Sequence, residues 1–365
     1  MHQRFFMQIE GVRTEKMIFT CVTFVFFTIL VAVISYVKTK GDDQTTADGY
    51  FLAGRGLPGI VIAGSLLLTN LSAEQLVGTN GQTWAIGMSP MAFEVMAATA
   101  LIVLALFAAP RYLKSGITTI PQLLGERYDR PTKLWFSIAY IILYLFVQIP
   151  VILYSGSLVF ENIFNLSGIL GITKFQSIVI LCILITIIGS IYAIFGGLKA
   201  VAVSDTINGI GLIIGGFMIP IFGLLLLGND HFLAGLRDLI SVVPAEKFNA
   251  INPVNAMAPM IPWPVLFTGM VVNNMFYWCT NQAIIQRTLG AKNLCEAQRG
   301  AIFAGFLKCC GPFFITICGL LAYRFFGDGL ANSDLAYPSL ITTVVPNWLL
   351  GIIAAVLFGA ILSSF

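Results

Sequence analysis

The most constraining feature of this chain is an apolar stretch, long enough to cross a bilayer, that carries a polar centre. The stretch runs over residues 57–86, and its middle reads LLLTNLSAEQLVGTNGQ. A charge at the centre of a bilayer costs at least ~2.5 kcal/mol, so such residues persist mainly where they face a polar cavity or a partner. Broken helices with polar residues at this depth are how secondary transporters build their substrate and ion sites. The stretch therefore predicts a membrane transporter.

Composition supports a membrane protein and argues against other classes. Hydrophobic residues make up 58% of the chain and charged residues 10%, whereas soluble domains are about 25% charged. The net charge of +3 comes without a basic run, so no nucleic-acid partner is expected. Seven cysteines, an odd number lying mostly in apolar runs, imply no disulfide framework. HExxH, GxSxG and Walker motifs are absent, so we expect no enzyme.

Apolar runs near or above the ~20 residues needed to span a membrane recur along the chain and predict nine spans. The predicted spans are 17–37, 57–86, 89–110, 134–160, 174–195, 201–228, 262–284, 300–323 and 347–365. They form a single multi-pass domain at 17–365 in the plasma membrane, after an N-terminal tail at 1–16. Met17 is an alternative start. The last run stops at Phe365 without a polar flank, which predicts a chain truncated in its ninth helix.

Five short motifs occur in order along the chain. They are GYFLAGRGLPG at 49–59, TNLSAEQLVG at 69–78, GITTIPQLLGERYD at 116–129, YAIFGGLKAVAVSD at 192–205 and YWCTNQAIIQRTLGAK at 277–292. Together they resemble the sodium/solute symporter family, which includes sodium/galactose and sodium/glucose cotransporters. The resemblance implies an all-α, LeuT-like fold of two inverted five-helix repeats behind one extra helix. The first repeat would be 57–228, and 262–365 would be an incomplete second repeat.

The same resemblance implies a function. The expected activity is sodium-coupled symport of a small polar solute, most simply a sugar, by alternating access. Sodium is the expected bound ion, and membrane lipid is the expected partner around the helices. One alternative is sodium symport of an amino acid, sialic acid or another small anion. An ion channel is the alternative from a different class, but it needs a continuous polar pore, whereas here the polar residues cluster at one depth.

Two helix segments carry candidate ligands for the ion. If the helix unwinds near Leu68 and Leu71, their carbonyl groups become free to bind a cation. In the last span, Ser363 and Ser364 follow Ala360 at i+3 and i+4, so their hydroxyls can converge beside its carbonyl. Neutral oxygens suit a hard monovalent cation, and the resemblance implies that these five residues form the sodium site. The alternative is that both hydroxyls only bond back to their own helix.

Four polar residues in apolar surroundings are the candidate substrate ligands: Gln75, Glu94, Asn274 and Lys308. Sugar recognition needs donors and acceptors at fixed positions, because each hydroxyl does both. Two amides, a carboxylate and an ammonium supply both kinds of group, and the resemblance implies that these positions bind sugar. Alternatively, Glu94 and Lys308 form a structural ion pair, which is compatible with a binding role.

Two further residues receive roles from the resemblance, and a third is a candidate through the chemistry of its ring. Tyr277 matches an inner gate below the substrate, and its neighbour Trp278 offers a ring for stacking on a sugar. Asp205 matches an acidic residue on the exit path of the ion. Ordinary packing remains the alternative for Trp278, and a helix cap next to Ser204 remains the alternative for Asp205.

Overall fold

The computed structural model describes residues 2–41, 45–256 and 260–365, with side chains from Met17 onward. Within these ranges the chain is helical, and its only β-type contacts are two isolated bridges, Leu57 with Ala291 and Asn252 with Pro262. The first ten helices are α1 (His2–Thr39), α2 (Ala47–Leu52), α3 (Gly59–Asn70), α4 (Ala73–Ile86), α5 (Pro90–Val103), α6 (Ala109–Ser115), α7 (Ile120–Arg127), α8 (Arg130–Leu143), α9 (Ile149–Phe164) and α10 (Leu166–Leu170). The others are α11 (Lys174–Leu227), α12 (Phe232–Val242), α13 (Trp263–Phe267), α14 (Gly269–Met275), α15 (Gln282–Leu289), α16 (Leu294–Phe314), α17 (Thr316–Phe326), α18 (Ala336–Val344) and α19 (Asn347–Ser364).

Six continuous helical stretches in the described ranges are long and apolar enough to cross a membrane. They are Met17–Thr39, Pro90–Ser115, Arg130–Phe164, Lys174–Leu227, Leu294–Phe326 and Asn347–Ser364. The pair α3 and α4 passes the same test as one span bent by 56°. The chain is therefore a multi-pass membrane protein, while its division into nine spans and two repeats stays a prediction.

The longest helix, α11, covers two predicted spans. Its 54 residues extend about 81 Å at 1.5 Å per residue, far more than the ~30 Å hydrocarbon core of a bilayer. Gly197 interrupts it with φ 59° and ψ 175°, a combination that essentially only glycine adopts. The helix thus changes direction between the stretches predicted at 174–195 and 201–228. The predicted span at 262–284 is instead divided among α13, α14, a π-helical turn at Phe276–Thr280 and the start of α15.

Helix α3 lies at the centre of the bundle, where α11 and α16 pack against it and α19 contacts it as well. Small residues make this packing possible. A Cβ on Gly64 would lie 3.0 Å from Cα of Thr206, and a Cβ on Gly300 would lie 2.7 Å from Cβ of Ile62. Because helix association in a membrane relies on close backbone packing, these two glycines bring α11 and α16 into direct contact with α3.

Candidate functional site

The helix breaks within the polar stretch. Asn70 is the last residue of α3, Leu71 has φ −84° and ψ 55°, and Ser72 is extended before α4 begins. The N–H of Leu71 still bonds to Leu67 at 2.7 Å. No backbone N–H of the described residues donates to the carbonyl of Leu68 or Leu71. The bend therefore leaves two backbone acceptors free between residues that are fully buried.

The end of α19 lies against this break. The hydroxyl of Ser363 is 3.1 Å from that of Thr69. The Ser364 hydroxyl donates to the carbonyl of Thr69 and to that of Ala360, each at 3.1 Å. Back-bonding to its own helix is thus one of two contacts for Ser364. Ser363 contacts α3 instead, so the two helices bring the candidate ion ligands to one interface.

The donor set at this interface is neutral. The described part of the chain contains no group of three or more His, Cys, Asp or Glu side chains that could hold a metal. Carbonyls of Leu68, Leu71 and Ala360 and the two serine hydroxyls are hard oxygen donors without charge. Among the described residues, Ser72 Oγ at the break is also buried without a hydrogen-bond partner, and so is Oε2 of the neighbouring Glu74, a carboxylate outside this neutral set. Since buried polar atoms normally have partners, this region has the chemistry to hold a monovalent cation.

A second polar cluster lies beside the break, centred on Glu94 of α5. This carboxylate is fully buried, accepts a hydrogen bond from Gln75 Nε2 and pairs with Lys308 Nζ of α16. Lys308, 1% exposed, also donates to Asn70 Oδ1 at 2.5 Å. The ion pair considered from the sequence is therefore present, and it is hydrogen-bonded to another candidate substrate ligand. We refer to Asn70, Gln75, Glu94 and Lys308 as the polar pocket.

Asn274 of α14 is buried, and among the described residues no hydrogen bond joins it to the polar pocket. Its Nδ2 donates to the Met270 carbonyl at 3.0 Å, and its Oδ1 is buried without a partner among the described residues. Trp278, four residues after Asn274, lies beside the polar pocket, with its ring centroid 5.9 Å from Lys308 Nζ. Tyr277 is half-buried and packs edge-on against Trp278 at 5.2 Å. Asn274 therefore has an acceptor that a bound hydroxyl could satisfy.

Asp205 lies in α11 beyond the Gly197 kink and is 1% exposed. It accepts a hydrogen bond from Ser65 Oγ of α3 at 2.5 Å. Ser65 in turn accepts one from Arg287 Nε at 3.3 Å. Asp205 therefore faces the central helix through a side-chain partner, whereas a cap requires a bond from a backbone N–H near a helix start.

Sequence reasoning missed four residues that the structure places at these sites: Ser65, Asn70, Thr69 and Arg287. Thr69 and Asn70 belong to the polar stretch that indicated a site. The sequence did not indicate which residues they contact. Arg287 is only 6% exposed, although it follows the predicted span 262–284, and basic residues that flank a span usually lie in the loops outside the membrane. Its signal was the apolar sequence around it, since Ile284, Ile285 and Leu289 are buried too.

A helical membrane bundle with a broken central helix and polar groups at the break is an arrangement that secondary transporters use. The model of the sodium:solute symporter family matches residues 50–365. The chain belongs to this family, as its motifs predicted.

Individual relatives agree with this assignment. The uncharacterized symporter YidK of Escherichia coli (strain K12) is 47% identical over 345 residues, which are 94% of this chain and 59% of that protein. The sodium/glucose cotransporter of Vibrio parahaemolyticus is 35% identical over 361 residues, 93% of this chain and 64% of that protein. The chain thus spans about three fifths of the length of these relatives.

A solved structure tests the fold. The Na+-coupled sialic acid symporter, in a substrate-bound outward-open state, matches with a TM-score of 0.79 at 22% identity, covering 95% of this chain and 71% of that one. At this identity the likeness concerns the fold alone. The predicted LeuT-like fold class is confirmed.

Proposed function

We propose that the protein carries out sodium-coupled symport of a small polar solute, most simply a sugar or polyol, across the plasma membrane by alternating access. The observation that carries the proposal is the break at Leu71, which leaves two backbone carbonyls free opposite the serines of α19. Membership of the sodium:solute symporter family and the name of the Vibrio relative support it. The protein transports solute rather than transforming it chemically.

Sodium binds between α3 and α19 in this proposal. Its ligands are the carbonyls of Leu68, Leu71 and Ala360 and the hydroxyls of Ser363 and Ser364. Each hydroxyl turns a lone pair to the ion and keeps its hydrogen for another acceptor, because a hydroxyl both donates and accepts. Binding then holds α19 against the broken helix.

The solute binds in the polar pocket and at Asn274. Gln75 and Lys308 both bond to the Glu94 carboxylate. A sugar hydroxyl can replace such a bond, donate to Glu94 or accept from Lys308, and another can donate to the orphaned Oδ1 of Asn274. Because the buried carboxylate and ammonium offset each other's charge, the pocket favours a neutral solute over an anion, which would face Glu94.

Two side chains complete the proposed transport path. Tyr277 closes the solute site on one side, next to Trp278. Asp205 accepts a hydrogen bond from Ser65 of α3. Its carboxylate attracts the sodium ion as the ion leaves the site. A carboxylate near the path lowers the energy of a passing cation by direct attraction, which is strong where water is scarce.

Uptake by the gene product in proteoliposomes tests the function. We expect labelled glucose, galactose or myo-inositol to accumulate with an inward sodium gradient and not with potassium. Ser364→Ala is expected to raise the sodium concentration for half-maximal uptake about tenfold, as loss of a ligand of ~1.4 kcal/mol implies. Ser137→Ala is the matched control, since that exposed hydroxyl bonds only to Lys133 of its own helix.

Two outcomes count against the proposal. Unchanged sodium dependence in a well-expressed Ser364→Ala variant removes this residue from the ion site. Accumulation of labelled N-acetylneuraminate, with none of the neutral solutes, replaces the sugar by an anionic cargo.

A further inference from the structure

Arg287 is a buried charge for which the proposed transport path has no role. It stands on α15 and is 6% exposed. No carboxylate among the described residues forms a direct ion pair with it. A guanidinium removed from water is costly unless its donors are hydrogen-bonded. The hydrogen bonds of Arg287 therefore indicate its role.

The guanidinium binds three different segments of the chain. Its Nη2 donates to the Ser363 carbonyl at 3.1 Å, its Nε to Ser65 Oγ at 3.3 Å, and its Nη1 to the Ala283 carbonyl of its own helix. The Ser65 hydroxyl in turn donates a hydrogen bond to Asp205 Oδ2 at 2.5 Å. Through one side chain, α15 is thus connected to α19, α3 and α11.

One of these contacts involves a residue of the proposed sodium site. Arg287 holds the backbone of Ser363, whose hydroxyl faces Thr69 at 3.1 Å. The planar guanidinium presents its donors in a rigid fork, which fixes direction as well as distance. A side chain from α15 therefore contacts the backbone of the last turn of α19.

We propose that Arg287 is a positioning residue for the sodium ligands: it holds the last turn of α19 in register with α3, and Asp205 offsets its charge through Ser65. The inference rests on the proposed function for the identity of the ion. Its structural part, that Arg287 orders the end of α19, stands independently of the ion.

A purely electrostatic role makes the opposite prediction. If the guanidinium acts only as a positive charge near the site, it repels sodium, and its removal strengthens sodium binding. A positioning residue requires the fork, so a lysine at 287 keeps the charge but cannot reach three acceptors with one ammonium group. The two roles therefore differ in sign for Arg287→Gln and in size for Arg287→Lys.

The test is a sodium titration of labelled-solute binding to the purified gene product, with Arg287→Lys and Arg287→Gln. Both variants are expected to raise the half-saturating sodium concentration about tenfold, as loss of hydrogen bonds from a charged donor implies. Solute affinity at saturating sodium is expected to stay within about twofold. Arg299→Gln is the matched control, because Arg299 is 71% exposed and pairs only with Glu296.

A measurement without sodium separates this inference from the proposed function. Hydrogen exchange of residues 360–365 in sodium-free buffer is expected to speed up in both Arg287 variants and to remain unchanged in Arg299→Gln. If the wild type shows no sodium-dependent binding, the proposed function fails, while faster exchange at 360–365 still supports the structural part.

Other results overturn the inference. The first is that Arg287→Gln binds sodium more tightly than the wild type while Arg287→Lys binds it equally well. The second is that sodium binding and hydrogen exchange of residues 360–365 are unchanged in both variants. Ser65→Ala covers the case in which the arginine variants do not fold. It removes one acceptor of the fork and is expected to give a smaller shift in the same direction, and no shift in that variant also contradicts the positioning role.

Discussion

Two ion pairs in this protein differ mainly in their contact with water. Glu94 and Lys308 join α5 to α16, with side chains 0% and 1% exposed. Asp238 and Arg324 join α12 to α17 through two bonds of 2.7 and 3.1 Å, with side chains 31% and 30% exposed. Removing two charges from water costs several kcal/mol each, which the buried pair recovers only with good geometry and further hydrogen bonds. The buried pair is therefore weak evidence of stabilisation, and its place in the proposed solute site gives a second reason for its presence.

Breaking the buried pair is expected to have the largest effect. Glu94→Ala or Lys308→Ala leaves an uncompensated charge inside the bundle, so the free energy of unfolding is expected to fall by ~3–5 kcal/mol. The double substitution Glu94→Gln with Lys308→Met is expected to recover most of that loss but to abolish solute binding. Thermal unfolding and labelled-solute binding of the same preparations measure both quantities.

If the double variant binds solute like the wild type, the pair has only a structural role. If it stays as unstable as the single variants, the pair stabilises the bundle beyond its desolvation cost.

A smaller effect is expected from the two neutral amides. Gln75→Ala and Asn274→Ala are each expected to weaken solute binding by ~0.5–1.5 kcal/mol, the net value of one hydrogen bond. Asn162→Ala is the matched control, because its Nδ2 also bonds to a carbonyl four residues earlier, at 2.9 Å, away from the polar pocket. Loss of membrane expression in the two variants, with the control intact, would show that these amides hold the bundle together.

The exposed pair of Asp238 and Arg324 is expected to contribute little to stability. A double-mutant cycle on Asp238→Ala and Arg324→Ala is expected to give a coupling energy of ~1 kcal/mol or less in thermal unfolding, which decreases with added salt. Solute binding is expected to be unchanged. A coupling energy as large as the loss expected on breaking the buried pair would mean that burial does not determine how strongly these ion pairs interact.

Asp129 gives the smallest effect, because it is fully exposed at the start of α8. Hydrogen bonds from Thr132 hold the pKa of this carboxyl below its ordinary value of 3.8. A lowered pKa stabilises the folded state above the ordinary value, and this contribution is lost as the pH falls through the lowered pKa. Protection of the first turn of α8 from hydrogen exchange is therefore expected to fall below about pH 4.

Asp129→Asn provides the comparison for this titration. Asparagine still caps a helix but does not titrate in this range, so its protection is expected to be independent of pH once corrected for intrinsic exchange. The same acid-induced loss in both proteins would assign the effect to another group.

Local patterns carried much of the fold and of the site. The polar stretch after Leu68 indicated a broken helix, and the break lies at Leu71. Helical spacing placed Ala360, Ser363 and Ser364 on one side of α19, because residues three and four apart share a face. The kink at Gly197 was not predicted. In the sequence, a glycine that breaks a helix cannot be distinguished from a glycine that allows two helices to pack closely.

Partners across the bundle could not be predicted in the same way. Lys308 lies 238 positions from Asn70, and Arg287 lies 222 positions from Ser65. No periodicity connects residues so far apart, and any buried cation in the second half of the chain could in principle meet any polar group in the first. The directions in which α3, α15 and α16 cross the bundle decide which groups meet.

The amino-acid sequence by itself determined the membrane class, the family and the position of the helix break, because hydrophobicity, motifs and helical period are local properties. Only the tertiary structure decided that Glu94 is shared by Gln75 and Lys308, that Asn274 keeps a free acceptor, and that Arg287 holds Ser363. The physical reason is that a buried polar group must find its partner within about 3 Å, and only the packing of the helices brings groups from distant segments so close.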